Sequence, residues 1–144
     1  MIMDKYNIST KDQYDSIYKD SINDPESFWS EIALRNFSWK SKWKNVLEWD
    51  FNHAKVEWFK GAKLNITENC LDRHLESNSD KTAIIFEPNN PNESSEKITY
   101  RSLFERVCQM SNVLKDKGVK KGDRVCIYLP MIPELAITVL ACAR

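Results

Sequence analysis

An α/β architecture is predicted for this chain, in which a helical, tryptophan-rich N-terminal stretch precedes the opening strands and helices of a layered domain left incomplete. Three observations predict it. Two amphipathic helical patterns with their own capping residues open the chain; short β-branched runs at 82–86, 97–100 and 124–129 flank a strongly amphipathic helix; and the final segment, 135–143, is apolar on every side apart from Thr138. The boundary is drawn at residue 80, giving a wrapping segment over 1–80 and the start of a large domain over 81–144.

Thr10 and Gln13 have capping-box spacing, and Tyr14, Ile17, Tyr18 and Ile22 follow at the helical period, which predicts a first helix. Asp24 is a good N-cap and Pro25 suits the first helical position, so a second helix follows with Phe28, Trp29, Ile32 and Ala33 inward and ends near Asn36. Over 37–63 no period holds, yet Trp39, Trp43, Trp49, Trp58, Phe51 and Phe59 make the stretch too apolar for a free linker. It is expected to lie against other structure. Thr67 is expected to cap a third helix running through Glu76, with Cys70, Leu71, His74 and Leu75 on one side.

Strands at 82–86 and 97–100, joined by a Pro/Asn/Ser-rich link, are expected to pair as a hairpin. Thr99 then caps a helix whose inner face is Leu103, Phe104, Val107, Cys108, Met110, Ser111 and Leu114, and Gly118 followed by Val119 has the form of a Schellman C-terminus. A third strand is expected over 124–129, closed by Pro130, and Pro133 and Glu134 open the last helix. That helix shows no glycine, polar C-cap or basic last turn before Arg144, so the chain is expected to stop in mid-element.

Lys and Arg number 21 and so do Asp and Glu, so no positive field points to nucleic acid or to an anionic membrane surface. The start, 1–10, has no signal-peptide core and no run reaches bilayer length, which predicts a cytoplasmic protein. Sequons at Asn7, Asn36, Asn65 and Asn92 are read as chance, and Cys70, Cys108, Cys126 and Cys142 as reduced thiols in a core.

No chemistry-bearing constellation assembles from spacing alone. Gly61, Gly118 and Gly122 are the only glycines, too few for a phosphate cradle, and Gly118 and Gly122 around Lys120 and Lys121 read as a helix end and a turn. Cys70 and His74 at i and i+4 supply two possible metal ligands and no further ones, so they read as packing residues. Asp72 with Glu76, and Glu26 with Glu31, read as solvated helix faces. The tryptophans with Lys40, Lys42, Lys44, Lys55 and Lys60 resemble a base-stacking platform, but Glu48, Asp50 and Glu57 lie among them. Accordingly no catalytic, cofactor-binding or metal-binding residue is assigned.

Several runs carry a family resemblance: WFKGAKLNITENCLDRHLE (58–76), DKTAIIF (80–86) and KKGDRVCIYLPMIPELAITVLACAR (120–144), with YDSIYKDSINDPESFW (14–29) and ITYRSLFERV (98–107) between and before them. These resemble AMP-forming acetyl-CoA synthetases, members of the adenylate-forming enzymes, over nearly the whole chain from Tyr14 onward. The resemblance implies a ligase that uses ATP, Mg2+ and CoA to convert acetate to acetyl-CoA, AMP and pyrophosphate through an acetyl-adenylate. It implies a large N-terminal domain and a small mobile C-terminal one, with the remainder of the large domain as the covering partner. The family's phosphate loop, acyl pocket, nucleotide contacts and hinge come later than these residues, so the 144 residues alone are expected to be inactive and to bind none of the three. Propionyl-CoA and acetoacetyl-CoA synthetases share the architecture. A noncatalytic interaction module descended from a synthetase is the alternative of a different class.

Overall fold

The computed structural model describes residues 7–144; the part of the 1–10 reading that falls on residues 1–6 lies outside them. The described residues divide into two compact units, one ending at Leu64 and one spanning Asn65–Arg144.

The first unit begins with helix α1, Lys11–Asn23, and the capping box is in place: Thr10 Oγ1 accepts from the Gln13 amide at 3.2 Å while Gln13 Oε1 accepts from the Thr10 amide at 3.2 Å. Its predicted stripe is largely exposed, with Tyr14 and Tyr18 stacked on each other and Ile22 62 % exposed. Asp24 serves two helices. Its amide donates to Asp20 at the end of α1, and its carboxylate accepts from Ser27 at 3.1 Å to open α2, Pro25–Asn36. Ala33 is the buried residue of α2, and its carbonyl accepts the indole N–H of Trp39 at 2.9 Å.

Strand β1, Asn45–Asp50, pairs antiparallel with β2, Lys55–Lys60, so that Leu47 faces Trp58, Glu48 faces Glu57 and Asp50 faces Lys55. The sequence reading left this hairpin aperiodic. Its turn uses neither Asn-Gly nor Asp-Gly: the Asp50 carboxylate accepts from the amides of Asn52 and His53, and Ala54 takes the left-handed conformation at φ +50°. The aromatics that the aperiodic stretch had to place against something meet one another, with Trp43 4.9 Å from Phe59, Trp39 5.1 Å from Trp43, and Trp29 of α2 6.3 Å from Trp58. Phe59 holds φ +51°, a left-handed conformation that a bulky residue adopts only when its surroundings impose it; here its ring is fixed between Trp39 and Trp43.

The second unit opens with a correction. Asn65, not Thr67, caps α3, accepting from the amides of Thr67 at 2.9 Å and Glu68 at 3.3 Å, and α3 covers only Ile66–Cys70. Leu71 leaves helical geometry at φ −121°, ψ −66°, and a 3-10 turn, Asp72–His74, leads into α4, Leu75–Asn78. Leu71 is 2 % exposed and belongs to the core, so burying it outweighs an unbroken helix to Glu76.

Strands β3, Thr82–Phe86, and β4, Glu96–Thr99, form the expected antiparallel hairpin, with Ile84 opposite Ile98 and an irregular register between Thr82 and Ile84. Thr99 caps α5, Tyr100–Asp116, through the Ser102 amide at 3.2 Å. The Schellman end forms: Val119 donates to Leu114 and Gly118 to Lys115, with Gly118 at φ +87°. Helix α6 spans Pro133–Ala143. Leu71, Ile98, Leu103, Val107, Ile137 and Ala141 form the core, α5 and α6 packing together over the hairpin's Ile98.

Two further expectations are corrected. Residues 124–129 form no strand, since none of the strands among the described residues pairs with them; Val125 and Ile127 are half-buried while Tyr128 is wholly exposed. The thiols are free, as read, but Cys70, Cys126 and Cys142 are exposed and Cys108 is half-buried, so none sits in the core. Cys142 lies with Val139 on the face of α6 turned away from Ile137 and Ala141.

Candidate functional site

In the second unit Asn65, Thr67, Asp72 and Ser111 meet the C-terminal residues of α6 and Arg144. At the C-terminal end of α6 as described, the Arg144 amide donates to the Leu140 carbonyl. Three side chains from elsewhere supply donors. Thr67 of α3 donates its hydroxyl to the Leu140 carbonyl at 3.0 Å, Ser111 of α5 donates to the Ala141 carbonyl at 3.2 Å, and the Asn65 amide group donates to the Arg144 carbonyl at 3.3 Å. Both hydroxyl residues are buried, Thr67 fully and Ser111 at 4 % exposure.

Arg144 completes the arrangement. Its two guanidinium nitrogens each donate to one Asp72 oxygen at 2.8 Å, and the planar head lies over the Phe104 ring, 5.0 Å from its centroid. The hydrogen bond to Asp72 raises the Arg144 pKa above its ordinary value and desolvation opposes it, so the group is a permanent cation. Such a cluster fixes backbone. It contains no nucleophile paired with a base.

The constellations weighed from spacing disperse. Cys70 ends α3 and is exposed, while His74 lies past the break at Leu71 with its ring 5.3 Å from Tyr100, so the two do not share an uninterrupted helical face. Among the described residues, no group of three or more His, Cys, Asp or Glu side chains converges as a metal site would require. Asp72 is engaged by Arg144, Glu31 by Arg35 at 2.7 Å, and Glu26 sits in the first turn of α2, where a carboxylate complements the helix dipole. At the Gly118–Gly122 turn the Lys120 amide, which an anion would have to reach, already donates to the Asp123 carboxylate at 2.7 Å. The fold leaves Trp49 and Phe51 exposed at the β1–β2 hairpin tip, 5.0 Å apart, while the other tryptophans meet aromatic neighbours.

On the β1–β2 hairpin, Lys60 reaches both Glu48 and Glu57, and Lys55 reaches Glu57 at 3.0 Å. Glu48 and Glu57 are directly opposed like charges, and the lysines relieve their repulsion. The Lys60 hydrogen bond lowers the Glu48 pKa, the Lys55 hydrogen bond lowers that of Glu57, and the Glu48 hydrogen bond raises that of Lys60. Glu48 and Glu57 therefore act as partners of Lys55 and Lys60, two of the lysines that a nucleic-acid platform would need free, while Asp50 pairs with His53.

Two family models cover the chain from residue 14 to its end: acetyl-coenzyme A synthetase N-terminus over residues 14–70 and AMP-binding enzyme over residues 71–144. The acetyl-coenzyme A synthetase of Alkalilimnicola ehrlichii is 56% identical over 135 residues, covering 94% of this chain and 21% of that protein. That of Alcanivorax borkumensis is 51% identical over 140 residues, covering 97% and 22%. In structure the chain is similar to acetoacetyl-CoA synthetase from Streptomyces lividans, with a TM-score of 0.79 and 26% identity over 90% of this chain and 20% of that one. The chain spans about a fifth of the length of these relatives. It belongs to the AMP-binding enzyme family, and its first half matches the N-terminus of the family's acetyl-coenzyme A synthetases.

Proposed function

We propose that these residues are the N-terminal portion of an AMP-forming acetate–CoA ligase, with a wrapping segment over 1–80 and the start of the large AMP-binding domain over 81–144. The observation that carries the reading is the 56% identity to an acetyl-coenzyme A synthetase across 94% of the chain. Acetate is favoured over acetoacetate as the acyl substrate because the matched region of the acetoacetyl-CoA synthetase, a fifth of that protein, is only 26% identical to this chain.

In such a ligase a carboxylate oxygen of acetate attacks the α-phosphorus of ATP, and pyrophosphate leaves. The CoA thiolate then attacks the acetyl carbon and AMP departs. Mg2+ would neutralise phosphate charge in the first step. No step of this chemistry is proposed for the residues described here. Their contribution is architectural: a capped helix pair, an aromatic-locked hairpin and a core that seats α6. A cytoplasmic location accompanies this reading. Among the described residues no helix is long and apolar enough to cross a membrane.

The test compares the reading frame expressed through to its stop codon with residues 1–144 alone. Pyrophosphate release is measured with MgATP, CoA and acetate, propionate or acetoacetate. The expected outcome is acetate-dependent release from the first and none from the second. Preference for propionate or acetoacetate refutes the acetate assignment, and release by residues 1–144 refutes placing the chemistry elsewhere.

A further inference from the structure

The β1–β2 hairpin carries its charges and its indoles on opposite sides. Directly opposed residues share a face, so Leu47 with Trp58 and Trp49 with Val56 lie on one side, while Glu48 with Glu57 and Asp50 with Lys55 lie on the other. A hairpin at a protein surface turns its apolar side to the core and its charged side to water. Here the order is reversed: Trp49 is 60 % and Val56 53 % exposed, whereas on the charged side Val46 is buried and the Glu48 side chain is 29 % exposed. Trp29 of α2 meets Trp58 edge-on at 6.3 Å and leaves both residues exposed. A two-stranded sheet is stable only when a face is packed, and a contiguous apolar patch of this kind marks a contact surface.

We propose that the side formed by Leu47, Trp49, Val56 and Trp58 is a docking surface, and that its occupant is an apolar surface of the same polypeptide lying outside these 144 residues. The occupant is apolar because this side has no carboxylate at its strand positions and its one lysine, Lys60, is already engaged by Glu48 and Glu57. It belongs to the same chain because the relatives whose N-terminus the first unit matches are about five times as long. A tethered surface docks at high effective concentration, whereas a separate partner must first meet the cost of association. The inference rests on the ligase reading for the length of the complete chain, and on the hairpin alone for the side that docks.

The test uses the complete reading frame, purified, with hydroxyl-radical oxidation of each tryptophan read by mass spectrometry at low and high protein concentration. Trp49 and Trp58 should oxidise as slowly as the half-buried Trp43, at both concentrations alike. Oxidation of Trp49 several times faster than that of Trp43 means that the side stays open in the complete protein, which overturns the proposal. Protection that appears only at high concentration assigns the side to a second copy and overturns it equally. Two variants supply an independent reading. Val56→Lys places a charge on the docked side and should lower the folding equilibrium constant about a hundredfold, while Asn52→Lys at the hairpin tip should change it less than about threefold. Equal small effects overturn the proposal, and should Val56→Lys fail to fold, the wild-type oxidation pattern decides alone. Pyrophosphate release is measured on the same wild-type protein: its absence defeats the ligase reading, and the tryptophan pattern still decides which side of the hairpin is covered.

Discussion

Val107 and Val113 lie on the same helix and differ chiefly in burial: Val107 has no exposed surface, and Val113 is 50 % exposed. Replacing each with alanine removes the same two methyl groups, so the pair isolates the energetic value of the core. For Val107→Ala the lost transfer energy is about 1.6 kcal/mol, at roughly 0.8 kcal/mol per buried carbon. A cavity in a site framed by Leu71, Ile98, Leu103 and Ile137 adds about 1 kcal/mol, giving about 2–3 kcal/mol in all. For Val113→Ala, partial burial costs about 0.8 kcal/mol. The better helix propensity of alanine returns about half a kcal/mol, and the net effect should stay within about 0.5 kcal/mol of zero. Urea unfolding of residues 1–144, followed by circular dichroism at 222 nm, reads both values as midpoint shifts at constant slope. Equal shifts for the two variants would refute the assignment of the core to the inner face of α5. A smaller Val107 shift accompanied by a changed slope would mean that the second unit does not unfold as one cooperative piece.

Two further outcomes follow from local geometry. Gly118→Ala should cost about 1 kcal/mol although nothing lies within 4 Å of the added carbon, because φ +87° alone penalises an L side chain; a neutral result in the same urea assay would remove the Schellman end from the stabilising features. On the β1–β2 hairpin the depressed glutamates contribute stability above their ordinary value of 4.5 and lose it as pH falls through their lower folded values. NMR titration should accordingly find Glu48 and Glu57 below 4.5 in the wild type and moving upward together in Lys60→Met, and unchanged titrations would show that the lysine does not relieve the opposed pair.

What was legible in the sequence was what neighbouring residues decide. Thr10 with Gln13, Asp24 with Pro25, Thr99, and Gly118 with Val119 each satisfy helix-end amides or carbonyls within a few positions, and each appears where its spacing put it. Two of the misreadings involve partners distant in sequence. A strand at 124–129 requires another strand's backbone, which local pattern cannot supply. The third helix breaks where Leu71 turns into a core assembled from α5, α6 and β4. The β1–β2 hairpin escaped detection because its turn is built by the Asp50 side chain and a left-handed alanine rather than by glycine, and because Trp49 and Trp58 are exposed where alternation would bury one face.

The polar cluster at α6 shows why the candidate site was less legible still. In sequence Asn65 reads only as a chance sequon, Thr67 as the cap of the third helix and Ser111 as part of the inner face of α5, and none of these local readings points to α6. Asn65 displaces Thr67 as the cap of α3, which frees the Thr67 hydroxyl for the Leu140 carbonyl. Ser111 sits where α5 meets α6, so that its small side chain permits close approach and its hydroxyl meets the Ala141 carbonyl. Hydroxyl donors on otherwise apolar faces meet the Leu140 and Ala141 carbonyls, and a polar residue that breaks a hydrophobic pattern here marks where a backbone distant in sequence comes to rest.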